Sequence, residues 1–225
     1  MTFRNPLQYL LVKRLQISNK NAFLLIKEGK ITVNESVVFE NITITESDEI
    51  YYGTQLLNQG KPLLYIAFYK PKGIETTLNT SISSNLKEIL PFETALFPAG
   101  RLDKASEGLL FLTNDGRLFH KIIGQQHHTE KEYIVEVDKR IDDDFLQKMS
   151  SGIVIMDKKT LPCEVEKLDD FSFKIVLVQG LNRQIRRMCY KLNYEVLSLK
   201  RVRIGNILLG DLKAAEFRIL GRNEL

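Results

Sequence analysis

Residues 98–116 read PAGRLDKASEGLLFLTNDG, a polar loop followed by an apolar run. The run at 109–113 predicts a buried strand that leaves the loop, and two glycines bracket the loop itself. A loop fixed by a buried strand is a common place for a functional site. Asp103 lies between Arg101 and Lys104, so its carboxylate should stay ionised at neutral pH and could act as a nucleophile. The same residue types also form purely structural ion pairs, and this alternative stays open.

A second segment, VQGLNRQIRRMCYKL at 178–192, has the period of an amphipathic helix, and Asn182 is suited to cap it. At about 100° per residue the apolar side chains fall on one face, with Arg186 at the flank. Opposite them lie Arg183, Arg187 and Lys191. Such a basic stripe suits contacts with phosphates, which position RNA without reading its bases. The alternative is a solvated helix face.

The chain from residue 63 onward alternates strand-like and helical runs without the regular rhythm of a parallel βαβ fold. We therefore predict an α+β fold with a mixed or antiparallel sheet and helices packed against it. The predicted strands are 63–69, 109–113, 133–137, 171–178 and 194–202, and the predicted helices are 117–123, 142–150 and 182–192.

The first 55 residues predict a separate small unit of two helices followed by a small sheet. Leucines at helical spacing predict the first helix, and Ser18 is a plausible N-cap for a second helix at 19–28. Gly29 stands where a helix often ends in a left-handed residue. Residues 56–62 (LLNQGKP) interrupt the pattern and are interpreted as a linker.

Charge is distributed unevenly along the chain. Its net value is only +4, but residues 1–30 carry +5, residues 31–58 carry −5 and residues 172–203 carry +7. Two basic blocks of this kind could bind one polyanion. The absence of an apolar run of about 20 residues argues against a membrane span. Two widely spaced cysteines form no metal or redox motif, so we expect a protein of the reducing cytoplasm.

The stretch LLVKRLQISNKNAFLLIKEGKITVN at 10–34 resembles the alpha-L RNA-binding module. That module has two short helices and then a Gly–basic–hydrophobic run ending in Val-Asn, as at 29–34 here. The resemblance implies RNA contacts by the basic residues of this unit, namely Arg14, Lys20, Lys27 and Lys30. The chain departs from the pattern at 19–21, where the family often has adjacent arginines, and weaker RNA binding is expected there.

Four motifs occur in this order along the chain: KPKG at 70–73, GRLDKASEGL at 100–109, KEY at 131–133 and NRQIRRM at 182–188. Together they resemble the pseudouridine synthases that modify small- and large-subunit ribosomal RNA, and the resemblance covers nearly the whole chain. Residues 179–189 are most similar to the large-subunit type F enzymes. The implied domains are an RNA-binding module at 1–55, the linker, and a catalytic domain at 63–225.

The resemblance implies that uridine in RNA is isomerised to pseudouridine, without cofactor or metal. Asp103 is then the expected nucleophile, attacking either the base or the ribose. Arg186 matches the arginine that pairs with this carboxylate. Tyr133 matches the residue that packs on the target uracil and can help move a proton.

The remaining motif positions imply roles in RNA binding. Arg101 would occupy the gap left by the flipped nucleotide or hold its phosphate, and Leu199 would form an apolar floor under the base. Phosphate contacts are expected from Lys104, Arg183 and Arg187. Lys70 and Lys72 lie in a motif that is largely architectural in these enzymes, and no chemistry is assigned to them.

Three other functions fit parts of the sequence. The chain could be a non-catalytic RNA-binding assembly factor, or it could perform the same chemistry on a tRNA anticodon stem-loop. A phosphate-ester hydrolase using Asp103 would need metal ligands or a second catalytic group, and the sequence offers neither. The expected partner is ribosomal RNA, possibly tRNA, with no membrane partner and a monomeric state.

Overall fold

The structure of the protein is a computed structural model that describes residues 5–92, 96–116, 129–221 and 224–225. The chain divides into two compact units, residues 1–63 and 64–225. Among the described residues, no helix is both long and apolar enough to cross a membrane.

The first unit contains two helices and six short strands. In chain order these are β1 (Asn5–Pro6), α1 (Leu7–Leu15), α2 (Asn19–Lys27), β2 (Ile31–Val33), β3 (Ser36–Val38), β4 (Thr43–Ile44), β5 (Glu49–Tyr52) and β6 (Gln55–Gln59). An antiparallel sheet has the order β3-β2-β5-β6, and β1 pairs with β4.

The helices of this unit form where the sequence predicts them. Ser18 Oγ accepts a hydrogen bond from Asn21 N at the start of α2, at 3.2 Å. Gly29 follows α2 with φ +65°, the left-handed conformation that ends many helices. Apolar side chains of both helices are buried against β2, β5 and β6 in one core; the fully buried ones include Leu7, Leu11, Ala22, Ile26, Ile31 and Ile50.

The predicted linker at 56–62 is wrong. Most of it belongs to β6, which pairs with β5 through Glu49↔Gln59 and Tyr52↔Gln55. Leu57 is buried in the core of the first unit. Backbone pairing and the burial of one leucine hold the segment in place, although its composition is that of a loop. The first unit therefore extends to residue 63.

The second unit is built on one large sheet. Its elements are β7 (Tyr65–Lys70), α3 (Leu86–Ile89), β8 (Phe97–Ala99), β9 (Glu107–Thr113), β10 (Lys131–Val137), α4 (Asp143–Ser151), β11 (Val154–Ile155), β12 (Lys158–Lys159), β13 (Glu164–Lys167), β14 (Ser172–Leu177), α5 (Gln184–Lys191), β15 (Val196–Ile204), β16 (Ile207–Leu208) and β17 (Phe217–Ile219).

The strand order of this sheet is β13-β14-β10-β15-β9-β7-β17, with β8 paired to β9 and β16 to β15. Every described pairing is antiparallel except that of β9 with β15, which is parallel. The predicted α+β fold with a mixed sheet is therefore confirmed. The predicted helix at 117–123 lies outside the described residues.

Helices α4 and α5 share one apolar cluster with the sheet. α5 contributes Ile185, Met188 and Cys189, and they pack with buried side chains of α4, β10, β14 and β15. The predicted cap of α5 is wrong: the N-cap position is taken by Arg183 in a left-handed conformation (φ 51°), with no side-chain cap. Asn182 instead accepts two hydrogen bonds from the Arg187 guanidinium, at 3.0 and 3.3 Å.

Candidate active site

The register of three neighbouring strands places the candidate residues at one level of the sheet. Gly108, at the start of β9, pairs with Arg201 of β15, and Arg201 pairs on its other side with Tyr133 of β10. Lys70 at the end of β7 also pairs with Gly108. The loop that carries Asp103 runs into β9 at this level. The loop near residue 103 therefore leads into the strand on one side of β15, and Tyr133, 30 positions later, lies on the strand on its other side.

Gly108 permits an unusually close approach of β9 to β15. Its φ is +103°, and a Cβ atom added there would lie 2.3 Å from the backbone oxygen of Arg201. Any side chain would force these strands apart. This explains why a glycine stands where the polar loop meets the buried strand.

Asp103 projects from this loop with its side chain about one-third exposed. Its ion-pair partner among the described residues is Arg183, whose Nη1 lies 3.7 Å from Oδ2. The predicted pairing of Asp103 with Arg186 is not observed. Because Arg183 occupies the N-cap of α5 in a left-handed conformation, its side chain can point toward the loop, which helix periodicity alone does not reveal.

Arg186 connects α5 to both the loop and β15. Its Nη2 donates to the oxygen of Ala105 at 3.0 Å and to Ser106 Oγ at 3.3 Å, and its Nη1 donates to the oxygen of Val196 at 3.0 Å. Burial lowers the pKa of Arg186 from its usual value, Arg183 lowers it further, and the negative charge of Asp103 acts in the opposite direction. Arg186 is thus close enough to interact electrostatically with Asp103 while its hydrogen bonds hold the backbone.

Tyr133 and Leu199 lie on the same face of the sheet. Tyr133 is half-buried against the cluster shared with α5, two residues before Val135 and so on the same side of β10. Leu199 of β15 pairs with Val135 and is only 7% exposed. The two side chains therefore form adjacent parts of one apolar wall, with Tyr133 the more accessible.

Comparison with known proteins identifies this arrangement. The sequence pattern of the family described as RNA pseudouridylate synthase matches residues 64–191, which include the loop, the strands and α5. The chain belongs to the RNA pseudouridylate synthase family.

Individual relatives agree with the family assignment. The chain is 40% identical over 210 residues to the dual-specificity RNA pseudouridine synthase RluF of Escherichia coli K12, covering 92% of this chain and 72% of the relative. It is 30% identical to the ribosomal large subunit pseudouridine synthase B of Bacillus subtilis, covering 92% and 88%. A solved pseudouridylate synthase superposes with a TM-score of 0.70 at 27% identity, covering 97% of both chains.

The basic residues of the synthase that were predicted to bind RNA are exposed. In the catalytic unit these are Arg101, Lys104, Arg183 and Arg187. Arg187, Lys191 and Arg183 lie away from the buried face of α5, so the predicted basic stripe is confirmed as a surface feature. Whether it contacts RNA stays a prediction.

In the first unit of the synthase, Arg14, Lys20, Lys27 and Lys30 are also exposed. Lys30 forms an ion pair with Glu28 at 2.7 Å, and Lys27 Nζ lies 5.7 Å from the ring centre of Phe23. Surface pairs of this kind contribute little to stability. Both lysines can therefore exchange these partners for phosphate.

Lys70 and Lys72 differ sharply in environment. Lys72 is exposed, whereas Lys70 is fully buried, and its Nζ donates to the oxygens of Pro71 and Ile74 at 2.7 and 2.8 Å. Burial lowers the pKa of Lys70 to about 8.

Within the described residues no group of three or more His, Cys, Asp or Glu side chains could hold a metal ion.

Sequence reasoning missed two contributors to the site. Arg183 was interpreted only as a phosphate contact, although it is the cation nearest Asp103. Thr76 received no role, although its hydroxyl bonds the backbone of Leu102. The signal available for Thr76 was its position just after the KPKG motif, whose turn packs on the same loop.

Proposed function

We propose that this enzyme isomerises uridine to pseudouridine in ribosomal RNA, with large-subunit RNA as its substrate and Asp103 as its nucleophile. The observation that carries the proposal is a partly exposed carboxylate 3.7 Å from Arg183, on a hydrogen-bonded loop that enters β9 where Gly108 and Tyr133 pair with the two sides of Arg201. The names of two relatives, one of them a large-subunit enzyme, support the substrate class.

The reaction needs one nucleophile and no net change of atoms. The Asp103 carboxylate attacks either the uracil ring or the ribose C1′, and the bond between C1′ and N1 breaks. The uracil turns and a new bond joins C1′ to C5. The bond to Asp103 breaks and frees the carboxylate, the C5 proton leaves, and N1 takes up a proton. Tyr133, half-buried at the edge of the apolar cluster, packs on the turning base and helps to move the C5 proton.

Two arginines support the carboxylate in different ways. Arg183 provides a positive charge 3.7 Å from the Asp103 carboxylate, which attracts that carboxylate electrostatically. Arg186 donates to the backbone oxygen of Ala105 and to the hydroxyl of Ser106, and so fixes the direction from which Asp103 projects. We therefore assign electrostatic support to Arg183 and positioning to Arg186.

The target nucleotide must leave its stack, which costs a few kcal/mol. Stacking on Tyr133 over the apolar wall of Leu199, with Arg101 filling the vacated gap, offsets that cost. Phosphate contacts from Lys104, Arg183 and Arg187 then hold the RNA at the loop. The first unit adds an alpha-L-type surface through the four basic residues named above. We place the reaction in the cytoplasm, because both cysteines are free thiols.

The test is tritium release from RNA labelled at uridine C5, with large-subunit RNA, small-subunit RNA and tRNA as separate substrates. We expect release from large-subunit RNA by the wild type. Asp103→Asn should reduce it by roughly 10³-fold or more while RNA affinity stays within a factor of about two. The matched control is Asp211→Asn at an exposed turn, which should behave as wild type.

Each outcome has a distinct meaning. Release by Asp103→Asn at the wild-type rate would refute the nucleophile. Release from tRNA alone would keep the chemistry and replace the substrate. RNA binding without release from any substrate, including immature ribosomal particles, would favour the non-catalytic assembly factor.

The role of the first unit is tested by salt dependence. The double substitution Arg14→Ala, Lys20→Ala should weaken RNA binding and reduce the slope of log affinity against log salt by about one per lost phosphate contact. The control is Lys61→Ala, which removes an exposed lysine of the same unit that pairs with Glu46. An unchanged slope in the double variant would show that this surface does not bind the RNA.

A further inference from the structure

The loop before β9 is fixed by backbone hydrogen bonds although it has no helix or strand of its own. The carbonyl oxygens of four successive residues, 102–105, each accept a bond. Their donors are Thr76 Oγ1, Ser106 N, Gly73 N and Arg186 Nη2, at 2.6, 3.0, 2.8 and 3.0 Å in chain order. Two of these donors come from the segment just after β7.

Thr76 makes the most specific of these contacts. Its hydroxyl donates to the carbonyl of Leu102 at 2.6 Å and accepts from the Leu102 N–H at 3.1 Å. Both residues are buried, at 8% and 6% exposure. One side chain therefore satisfies both backbone groups of the residue that immediately precedes Asp103, in a place where solvent has little access to replace it.

The same segment also holds the residue that follows Asp103. The N–H of Gly73 donates to the oxygen of Lys104. Gly73 lies in a turn with φ +91°, and buried Lys70 steadies that turn by donating to the oxygens of Pro71 and Ile74. Asp103 is thus bracketed, with its preceding residue bound by Thr76 and its following residue bound by Gly73.

We propose that Thr76 is a positioning residue for the reaction, one that aims the Asp103 carboxylate by fixing the peptide of Leu102. This inference rests on the proposed function of Asp103. The carboxylate has little to orient it directly, since its ion-pair partner Arg183 is 3.7 Å away and about half exposed. Its direction therefore depends on the backbone, and a displacement of about 1 Å in a reacting group can slow a reaction by roughly 100-fold.

The test compares kcat and KM for three single variants in the tritium-release assay. Thr76→Val keeps the shape of the side chain and removes the hydroxyl, whereas Thr76→Ser keeps the hydroxyl. The control, Thr113→Val, removes a buried hydroxyl that accepts from Asp115 N at 2.9 Å. Thr113 ends the seven-residue β9, about 20 Å along the strand from its start.

We expect kcat of Thr76→Val to fall by roughly 30- to 100-fold with KM within about twofold of wild type. Thr76→Ser should recover kcat to within about threefold, and Thr113→Val should match wild type. A merely structural role would lower thermal stability in both valine variants without this selective loss of kcat or its rescue by serine. If Thr76→Val does not fold, Thr76→Ala is measured instead, with at least a tenfold loss of kcat expected.

Asp103→Asn measured alongside separates the two hypotheses. Wild-type kcat in Thr76→Val or Thr76→Ala, with Asp103→Asn inactive, overturns the positioning role and leaves the proposed function standing. Serine and valine variants that are equally slow also overturn it, because the hydroxyl would then not matter. An active Asp103→Asn removes the proposed function itself.

Discussion

Replacing Gly108 by alanine should destabilise the catalytic unit far more than the same replacement at Gly210. Both glycines have positive φ, +103° and +60°. At Gly210 an added Cβ meets nothing within 4 Å, whereas at Gly108 it would lie 2.3 Å from the oxygen and 2.7 Å from the nitrogen of Arg201. The comparison therefore separates backbone strain, present in both variants, from a backbone clash present in one.

The size of the destabilisation follows from the backbone displacement that each substitution requires. A residue with a side chain in the left-handed region costs about 1–2 kcal/mol, which is the whole expected effect of Gly210→Ala. At Gly108 the Cβ must gain about 1 Å to reach the 3.4 Å of ordinary contact. That shift weakens the two pairs that join β9 to β15, Glu107↔Lys200 and Gly108↔Arg201. Losing two backbone hydrogen bonds adds about 1–3 kcal/mol.

Thermal unfolding of the two variants measures this difference. For a chain of this size, 1 kcal/mol corresponds to about 2–4 °C in Tm. Gly108→Ala should therefore melt about 2–12 °C below Gly210→Ala. It should also lose activity, because the same displacement separates the Asp103 loop from Tyr133. Equal Tm values for the two variants would refute the close approach of β9 to β15.

Three further predictions concern other parts of the catalytic unit. Arg186→Ala should reduce kcat by about 100-fold, since it removes the hydrogen bonds that hold the loop to α5. The control Arg187→Ala should weaken RNA binding only. Steady-state kinetics measures both variants, and a change confined to KM in Arg186→Ala would contradict the prediction. Burial raises the pKa of Cys163 to about 11. Iodoacetamide should therefore alkylate this thiol at pH 8 about 100-fold more slowly in the native protein than after unfolding. The alkylation rate of the native protein should increase tenfold per pH unit between pH 8 and 10, and a plateau near pH 9 would exclude the raised pKa. Burial lowers the pKa of Lys70 to about 8, so the folded protein binds this proton less tightly than the unfolded chain. The free energy of unfolding of the wild type, measured with urea, should then rise by about 2–3 kcal/mol between pH 8 and 10.5, relative to that of Lys70→Met over the same range. Parallel curves of unfolding free energy against pH for the two proteins would exclude the lowered pKa.

Local patterns in the sequence were sufficient for most of the secondary structure. The leucines of α1, the Ser18 cap of α2 and the apolar face of α5 each depend on neighbours within one or two helical turns, so their spacing reveals them. Five of the nine described strands of the large sheet were located to within a few residues, because their apolar runs are long, whereas β8, β13, β16 and β17 were not predicted. β6 was missed because it is short and mostly polar, and only its pairing with β5 makes it a strand.

The motifs also named the candidate site residues, but they did not determine how those residues meet. Gly108, which ends the Asp103 loop, and Tyr133 pair with the two sides of Arg201, and this depends on a parallel pairing between strands about 90 residues apart in the chain. No local period encodes such a register, since it is set by which strands become neighbours when the core closes.

Partner choice at the site was likewise decided by the tertiary structure. The resemblance assigned Arg186 to the carboxylate, yet Arg183 lies nearer, because the backbone turns left-handed at the start of α5 and redirects that side chain. Thr76 reaches Leu102 across 26 residues through a single hydroxyl. The spacing of apolar residues along the chain indicates most of the helices and the long strands, although α5 begins two residues later than predicted. Their distances and hydrogen bonds arise only when segments far apart in the chain pack together, because these contacts depend on three-dimensional proximity rather than on spacing along the chain.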